Sequence, residues 1–218
     1  MQKERIIETV EGIQGEFDVA MYDQMQRHLR NKGYMETDDI IKSGITSGSV
    51  LEVGPGPGYL GLEWLSKTKG TDLTCLEISQ EMIKMARKNV LEYGLQDRAG
   101  YTQGNALAMP FDDNTFDGAF SNGSLHEWED PAAVLGEMHR VVKPGGRIFV
   151  SDLRRDMSRI IFFFMKLSVK PKSIKPGFIS SLNAAYTKEE LEKTARRAPF
   201  SSFQVKTSPF GLSLIAVK

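Results

Sequence analysis

"LEVGPGPGYLG", running from Leu51 to Gly61, sets four glycines and two prolines behind a short apolar run. A short strand that breaks into glycines is a turn whose backbone can press against a ligand, because glycine has no Cβ to keep a neighbour away and tolerates positive φ. Two patterns overlap in it. Gly56, Gly58 and Gly61 fit G-x-G-x-x-G, the turn that holds dinucleotides. Glu52, Gly54, Gly56 and Gly58 fit E-x-G-x-G-x-G, which belongs to another cofactor.

Outward from this turn the chain alternates strand and helix. Residues 1–47 read as helical, with Ile6, Ile7, Val10 and Ile13 at helical spacing. Val50 to Val53 is a strand, and a helix begins at Leu60 and runs to Lys67, with Gly70 closing the segment. "LTCLEI", Leu73 to Ile78, is a second strand, followed by a helix from Gln80 to Tyr93 with Gly94 as its cap. Gly100 to Gly104 and Gly118 to Ser121 supply the third and fourth strands. Pro131 opens a helix through Val142, Pro144-Gly145-Gly146 is a tight turn, and Arg147 to Ser151 is the fifth strand. This alternation predicts βαβ units and a mainly parallel sheet. "FQVKTSPFGLSLIAVK", residues 203–218, leaves no room for a crossover helix and is expected to be an antiparallel hairpin.

Composition narrows the function classes. A chain of 218 residues fits one domain with a sizeable core, and 40% hydrophobic with 26% charged residues is ordinary for a globular protein. Lysine plus arginine equal aspartate plus glutamate at 28 each, a balance that argues against a nucleic-acid partner. The lone Cys75 cannot form an internal disulfide, which suits a reducing compartment. The first residues, "MQKERIIETVEGIQGEFD", scatter acids and bases without an apolar run of signal-peptide length. The longest apolar run, Ile160 to Met165, is too short to span a bilayer, so the expected location is cytoplasmic.

In an open α/β sheet the ligand sits beyond the carboxyl ends of the strands, where strand order reverses. Both readings of the glycine turn therefore place a cofactor above Val53. Both also want an acid at the end of the next strand to take ribose hydroxyls, and Glu77 stands there. Glu52 inside the first strand, "GNA" after the third and the terminal hairpin discriminate between them.

Taken together these features resemble the class I S-adenosylmethionine-dependent methyltransferases, and within them the small-molecule group that includes quinone-biosynthesis enzymes. "VLEVGPGPG" is similar to the family's first motif, "CLEISQEMIKMAR" to its second, "GNALAMPFDDNTFDGAF" to its third and "EMHRVVKPGGRIFVSD" to its fifth-strand region. The likeness covers residues 16–150 and 185–218. It implies a Rossmann-like doubly wound α/β sheet, mainly parallel with a C-terminal antiparallel hairpin, an N-terminal helical extension and an insertion after the fifth strand. Residues 1–218 are then one domain: a helical cap at 1–47, a cofactor-binding core at 48–151, a variable insertion or lid at 152–184, and a last helix and hairpin at 185–218.

The same resemblance implies site residues. Gly54, Pro55, Gly56 and Gly58 bring the loop to the methionine part of S-adenosylmethionine, with Glu52 behind them; Glu77 accepts from the ribose diol. Asn105 and Ala106 match the adenine-reading position, with Asn105 where the family more often has aspartate. Ile78 and Met82 flank the adenine or ribose, or simply pack in the core. Tyr22 in "FDVAMYDQ" matches a segment that closes over the cofactor, or simply packs its helix, and Ser121 ends the fourth strand beside the site. His126 in "SLHEWEDP" is either a base bordering the acceptor or a residue that orders its loop, and Asp152, expected at the pocket rim, either serves the acceptor or caps a turn.

Several absences shape the reaction class. "SNGSLHEW" lacks the proline-proline-aromatic motif of amide and adenine-amine methyltransferases, and the place of Cys75 within a strand argues against a cytosine-directed nucleophile. His28, His126 and His139 show no metal-ligand spacing. The expectation is direct methyl transfer to a small-molecule acceptor, with an inactive cofactor-binding partner protein or a macromolecular acceptor as alternatives. Arg154 to Lys175 departs from the family's pattern, with seven bases and one acid around Phe162 to Phe164. It reads as a lid over the acceptor, as an interfacial helix making peripheral membrane contact, or as a dimer contact or a basic patch for an anionic substrate.

Overall fold

The computed structural model describes residues 5–6, 15–169 and 172–218. Its elements run α1 (Glu16–Asn31), α2 (Thr37–Lys42), β1 (Gly48–Val53), α3 (Tyr59–Lys67), β2 (Thr71–Glu77), α4 (Gln80–Tyr93), β3 (Ala99–Gln103) and β4 (Phe116–Asn122). There follow α5 (Pro131–Val141), β5 (Val142–Leu153), α6 (Arg159–Ser168), α7 (Lys175–Ala184), α8 (Lys188–Ala195), β6 (Ser202–Thr207) and β7 (Gly211–Val217). Of the residues that marked the N-terminal helical reading, Ile7, Val10 and Ile13 lie outside the described residues.

Seven strands form one sheet in the order β3-β2-β1-β4-β5-β7-β6. The pairs from β3 to β5 are parallel, and the β5–β7 and β6–β7 pairs are antiparallel. After β1 the chain winds outward through β2 and β3, then returns to β1's other side with β4. The order therefore reverses between β1 and β4, which opens a crevice above the end of β1.

Both faces of the sheet are covered at its centre, which is why β1 and β4 are buried along consecutive residues while the edge strands β3 and β6 are not. One layer takes Leu51, Ala119, Ile148 and Val150 against Leu135 and Met138 of α5 and Leu191 of α8. The other takes Val50, Cys75, Phe120 and Phe149 against Ile40 of α2 and Trp64 of α3. Local signals set the helix ends. The Ser79 hydroxyl accepts from Met82 N to start α4, and Gly94 at φ 65° ends it. The Asp130 carboxylate accepts from Ala132 N and Ala133 N, with Pro131 opening α5. Thr187 and Glu190 form a reciprocal capping box at α8.

The fifth strand departs from expectation. Its ladder begins before the glycine turn, with Val142 opposite Phe116, and resumes out of register with Arg147 opposite Gly118. Lys143-Pro144-Gly145-Gly146 is thus an irregularity inside the strand. A Cβ on Gly146 would stand 2.8 Å from Asp117 O and 2.9 Å from Lys143 O, so only glycine lets the two strands close again.

The insertion at 152–184 forms α6 and α7. No residue of α6 is buried and none lines the main cavity. A short 3-10 turn at Lys172–Ile174 and α7 lie instead beside α1 and the 3-10 turn Leu125–Glu127.

Gly61, on α3, marks how closely that helix lies on β1. A Cβ there would overlap Glu52 Oε2 and stand 2.5 Å from Leu73 Cδ2. Gly61→Ala is expected to lose about 1–3 kcal/mol by overpacking, although the same change in an exposed helix would gain stability. Urea denaturation checks this, and an unchanged or raised midpoint would contradict the close approach.

Candidate functional site

The glycine turn after β1 builds the floor of the site. Gly54, Gly56 and Gly58 hold φ of 68°, 53° and 86°, a region that side-chain-bearing residues seldom enter. A Cβ on Gly54 would collide with Ser124 Oγ, and one on Gly56 would reach 3.4 Å from the Tyr22 ring. Gly58 is the N-cap of α3. The turn is fastened from above by α1, because Asp23 Oδ1 accepts from Tyr59 Oη at 2.9 Å and from Asn89 Nδ2 at 3.0 Å. Asn89 Nδ2 also donates to Pro57 O at 2.9 Å.

A cavity of about 310 Å³ opens at the β1–β4 reversal. Among the sequence-predicted residues Tyr22, Gly54, Gly56, Glu77, Ile78, Met82, Asn105 and Ala106 line it. Glu77 ends β2 and is only 7% exposed. Its Oε2 accepts from Gly56 N at 3.1 Å and its Oε1 from Ser79 N at 2.9 Å. Burial raises its pKa, while these amides and that of Ile78 pull it back. The carboxylate thus joins the glycine turn to the start of α4, with acceptor positions left for a ligand's hydroxyls. Asn105 Oδ1 accepts from Leu107 N at 2.8 Å, folding its side chain onto its own loop. Met82 is buried and Ile78 is 38% exposed, so one is a wall and the other a rim.

Pro55 and Glu52 face a second, smaller recess of about 30 Å³, together with Tyr22, Gln26, Tyr59 and Asn122. Glu52 is 2% exposed, in the layer that β1 shares with α3. Burial pushes its carboxyl up to about 8, and the nearby Glu77 carboxylate adds to this; the Cys75 thiol, 3.6 Å from Oε2, and the Gly61 amide oppose it. Glu52 is therefore neutral at pH 7. The Tyr22 hydroxyl accepts from Gln26 Nε2 at 2.9 Å, and its pKa is raised by burial and then by the Glu127 carboxylate. Ser121 does not reach either cavity, since it is fully buried and donates to Val53 O at 2.7 Å.

His126 and Asp152 do not stand at the rim. Asp152's side chain is fully buried and that of His126 is 6% exposed. Asp152 accepts from His126 N at 2.8 Å and lies 2.9 Å from the ring Nδ1. Sequence distance hid the pair, because His126 lies in the turn after β4 and Asp152 near the end of β5, and only the β4–β5 pairing brings them together. His126 Nε2 lies 3.9 Å from Glu127 Oε1, and Glu127 does line the main cavity. From the other side, Arg5 Nη2 donates to His126 O at 3.0 Å.

Sequence reasoning missed several residues. Leu107, Ser124, Glu127, Trp128 and Glu129 also line the cavity, and the "SLHEWE" stretch was the available signal. Glu36, between α1 and α2, was not foreseen either: burial raises its pKa against hydrogen bonds from Ser151 and Asn122. Glu77, Glu127 and Glu129 supply carboxylates to the main cavity, and no Lys, Arg or His is among the described residues lining it. A cavity of this charge favours a cationic ligand. Among the described residues no group of three or more His, Cys, Asp or Glu could hold a metal ion, and no helix is long and apolar enough to cross a membrane.

Comparison with known proteins adds an independent finding. A family model described as a methyltransferase domain matches residues 51–150. A ubiquinone/menaquinone biosynthesis C-methyltransferase, UbiE, of Hahella chejuensis is 34% identical over 125 residues, which are 56% of this chain and 50% of that protein. Methyltransferase GfsG of Streptomyces halstedii is 33% identical over 104 residues, 48% of this chain and 37% of its own. The matched part thus spans about half, or less, of the length of these relatives. For the fold, a SAM-dependent methyltransferase from Aquifex aeolicus superposes with a TM-score of 0.70 at 19% identity, covering 94% of this chain and 98% of its own. A Methanococcus maripaludis protein gives 0.75 at 24% identity, covering 97% of each chain.

Glu52 makes stability pH-dependent. Its folded pKa is about 8, against an ordinary value of about 4.3. The unfolded chain therefore gives up this proton at lower pH than the folded one, so the contribution is complete below pH ~4.3 and lost as pH rises towards 8. Glu52→Gln cannot ionise, so its stability relative to the parent should improve steadily between pH 5 and pH 8. Denaturation midpoints measured across that range check this, and a constant difference would mean that the carboxyl is already charged in the fold.

Proposed function

We propose that the chain, through the methyltransferase-domain match over residues 51–150, belongs to that family and transfers a methyl group from S-adenosylmethionine to a small-molecule acceptor. The observation that carries the reading is the Glu77 carboxylate, hydrogen-bonded to Gly56 N beside a cavity whose described lining residues include no base. The residues fit the cofactor: a positive-φ glycine turn leaves room where a Cβ would intrude, and the lining carboxylates suit a ligand with a sulfonium and an ammonium.

When bound, the cofactor supplies a methyl group on a sulfonium, a good leaving group, so the chain mainly aligns the partners and excludes water. Glu77 holds the ribose hydroxyls. Gly54, Pro55, Gly56 and Gly58 give the methionine part its room, with Glu52 neutral behind them. Ala106, Ile78 and Met82 enclose the adenine. Asn105 keeps that loop in shape through its bond to Leu107 N. Tyr22 covers the turn from α1. Asp152 acts through His126, fixing the loop that presents Glu127, and Ser121 fixes the end of β4 through Val53 O. The relatives' names point to a carbon acceptor of the quinone-precursor kind for this chain as well. The proposed organisation is one domain over 1–218, with 48–151 as cofactor core, in the cytoplasm.

Glu77→Ala should weaken S-adenosylmethionine binding by about 1.5–3 kcal/mol with the fold retained, as expected for hydrogen bonds to a charged group. Unchanged affinity in the folded variant would remove Glu77 from the site. Incubating the protein with methyl-labelled S-adenosylmethionine and a metabolite extract should move label into a small, extractable product. Label in protein or RNA would contradict the small-molecule reading, and tight cofactor binding without any transfer would identify an inactive cofactor-binding protein.

A further inference from the structure

The helix α6, "RIIFFFMKLS", starts at Ser158, whose hydroxyl accepts from Ile161 N, and is apolar on two sides. Ile161, Phe162 and Met165 are half-buried on the side turned to the body of the protein. Ile160, Phe163, Phe164 and Leu167 follow the i, i+3, i+4, i+7 spacing of a single helix face and are 70%, 58%, 64% and 57% exposed. Other exposed large apolar residues, such as Tyr34, Leu91 and Phe210, are scattered along the sequence. A contiguous face of four is the kind of surface that soluble domains keep covered.

Charge identifies what covers it. The whole chain is neutral, yet Arg154 to Lys175 carries seven bases and one acid. That acid, Asp156, is taken up by Arg154 at 2.7 Å, and Arg155 pairs with Glu190. Arg159 in the first turn of α6 and Lys166 in its last make no ion pair among the described residues. A second copy of this chain, packed face to face about a two-fold axis, would set this basic-edged patch against itself. Like charges would then meet at an interface closing over phenylalanines, which is repulsive. An anionic bilayer surface satisfies both features at once, since lipid tails accept the apolar face while phosphates meet the cations.

We propose that α6 is an interfacial helix that lies in the surface of a bilayer containing anionic lipid, with Ile160, Phe163, Phe164 and Leu167 inserted and Arg159 and Lys166 at the phosphate level. At ten residues it is about 15 Å long, too short to cross and sufficient to lie flat. It follows β5 directly, at the carboxyl edge of the sheet where the main cavity lies. The proposal stands on the surface of α6 alone and does not depend on the methyl-transfer reading.

Flotation of the full chain with extruded vesicles tests it. Vesicles of phosphatidylcholine with about one third phosphatidylglycerol should carry the protein upward, pure phosphatidylcholine should carry far less, and added salt should reduce the bound fraction. Phe163→Ser with Phe164→Ser should weaken vesicle binding by at least about tenfold, while thermal unfolding and S-adenosylmethionine affinity stay at parent values. Arg159→Glu with Lys166→Glu should abolish the preference for phosphatidylglycerol. Equal behaviour with both vesicle types, no flotation, or a double-serine variant that binds like its parent would overturn the proposal. So would sedimentation showing a parent dimer that the double-serine change converts to monomer.

Discussion

The backbone of Gly54, Gly56 and Gly58 must stay in the positive-φ region for this architecture to close. With those conformations fixed, Gly56 N reaches Glu77 at the end of β2, Gly54 leaves room for Ser124 after β4, and Pro57 O receives Asn89 from α4. Three elements that follow β1 in the chain are thereby tied to one turn. The crevice of a doubly wound sheet arises wherever strand order reverses, but here its shape is set by how little the turn occupies. A side chain at Gly54 would collide with Ser124, and at Gly56 the positive φ disfavours any residue but glycine.

Buried carboxyls are the second constraint. Glu52 and Glu77 each lose hydration, and each is met differently. Glu77 keeps hydrogen bonds from Gly56 N and Ser79 N, while Glu52, deep against α3, is held neutral at pH 7. Asp152 takes the backbone amide and the ring of His126 together, so one buried acid orders the whole "SLHEW" turn. A buried acid without such partners is costly, which explains why Glu77 and Asp152 are each tied to a specific loop. The loops around the cavity are therefore positioned by polar anchors, and the strands by the two apolar layers.

Much of this was legible in the residues themselves. The turn, the alternating elements, Ser79 and Gly94 at the ends of α4, Asp130-Pro131 at α5 and the terminal hairpin are local signals, and local geometry decides them. Pro144-Gly145-Gly146 reads from sequence as a tight turn before the fifth strand, and not as an irregularity inside it, because the pairing of Val142 with Phe116 is a long-range fact. The same limit hid the Asp152–His126 pair and the contacts of Glu36. For α6, "RIIFFFMKLS" is apolar on two sides, so periodicity alone could not say which of them meets the protein. Only the packing separates Ile161, Phe162 and Met165 from the exposed Ile160, Phe163, Phe164 and Leu167.

Two cofactors compete for the cavity above β1. E-x-G-x-G-x-G and G-x-G-x-x-G share glycines here, and an acid after the second strand serves either ligand. Isothermal titration of the protein with S-adenosylhomocysteine and, separately, with NAD decides between them. Saturable one-to-one binding of S-adenosylhomocysteine with no heat from NAD is the predicted result; binding of NAD, or of neither, would contradict it.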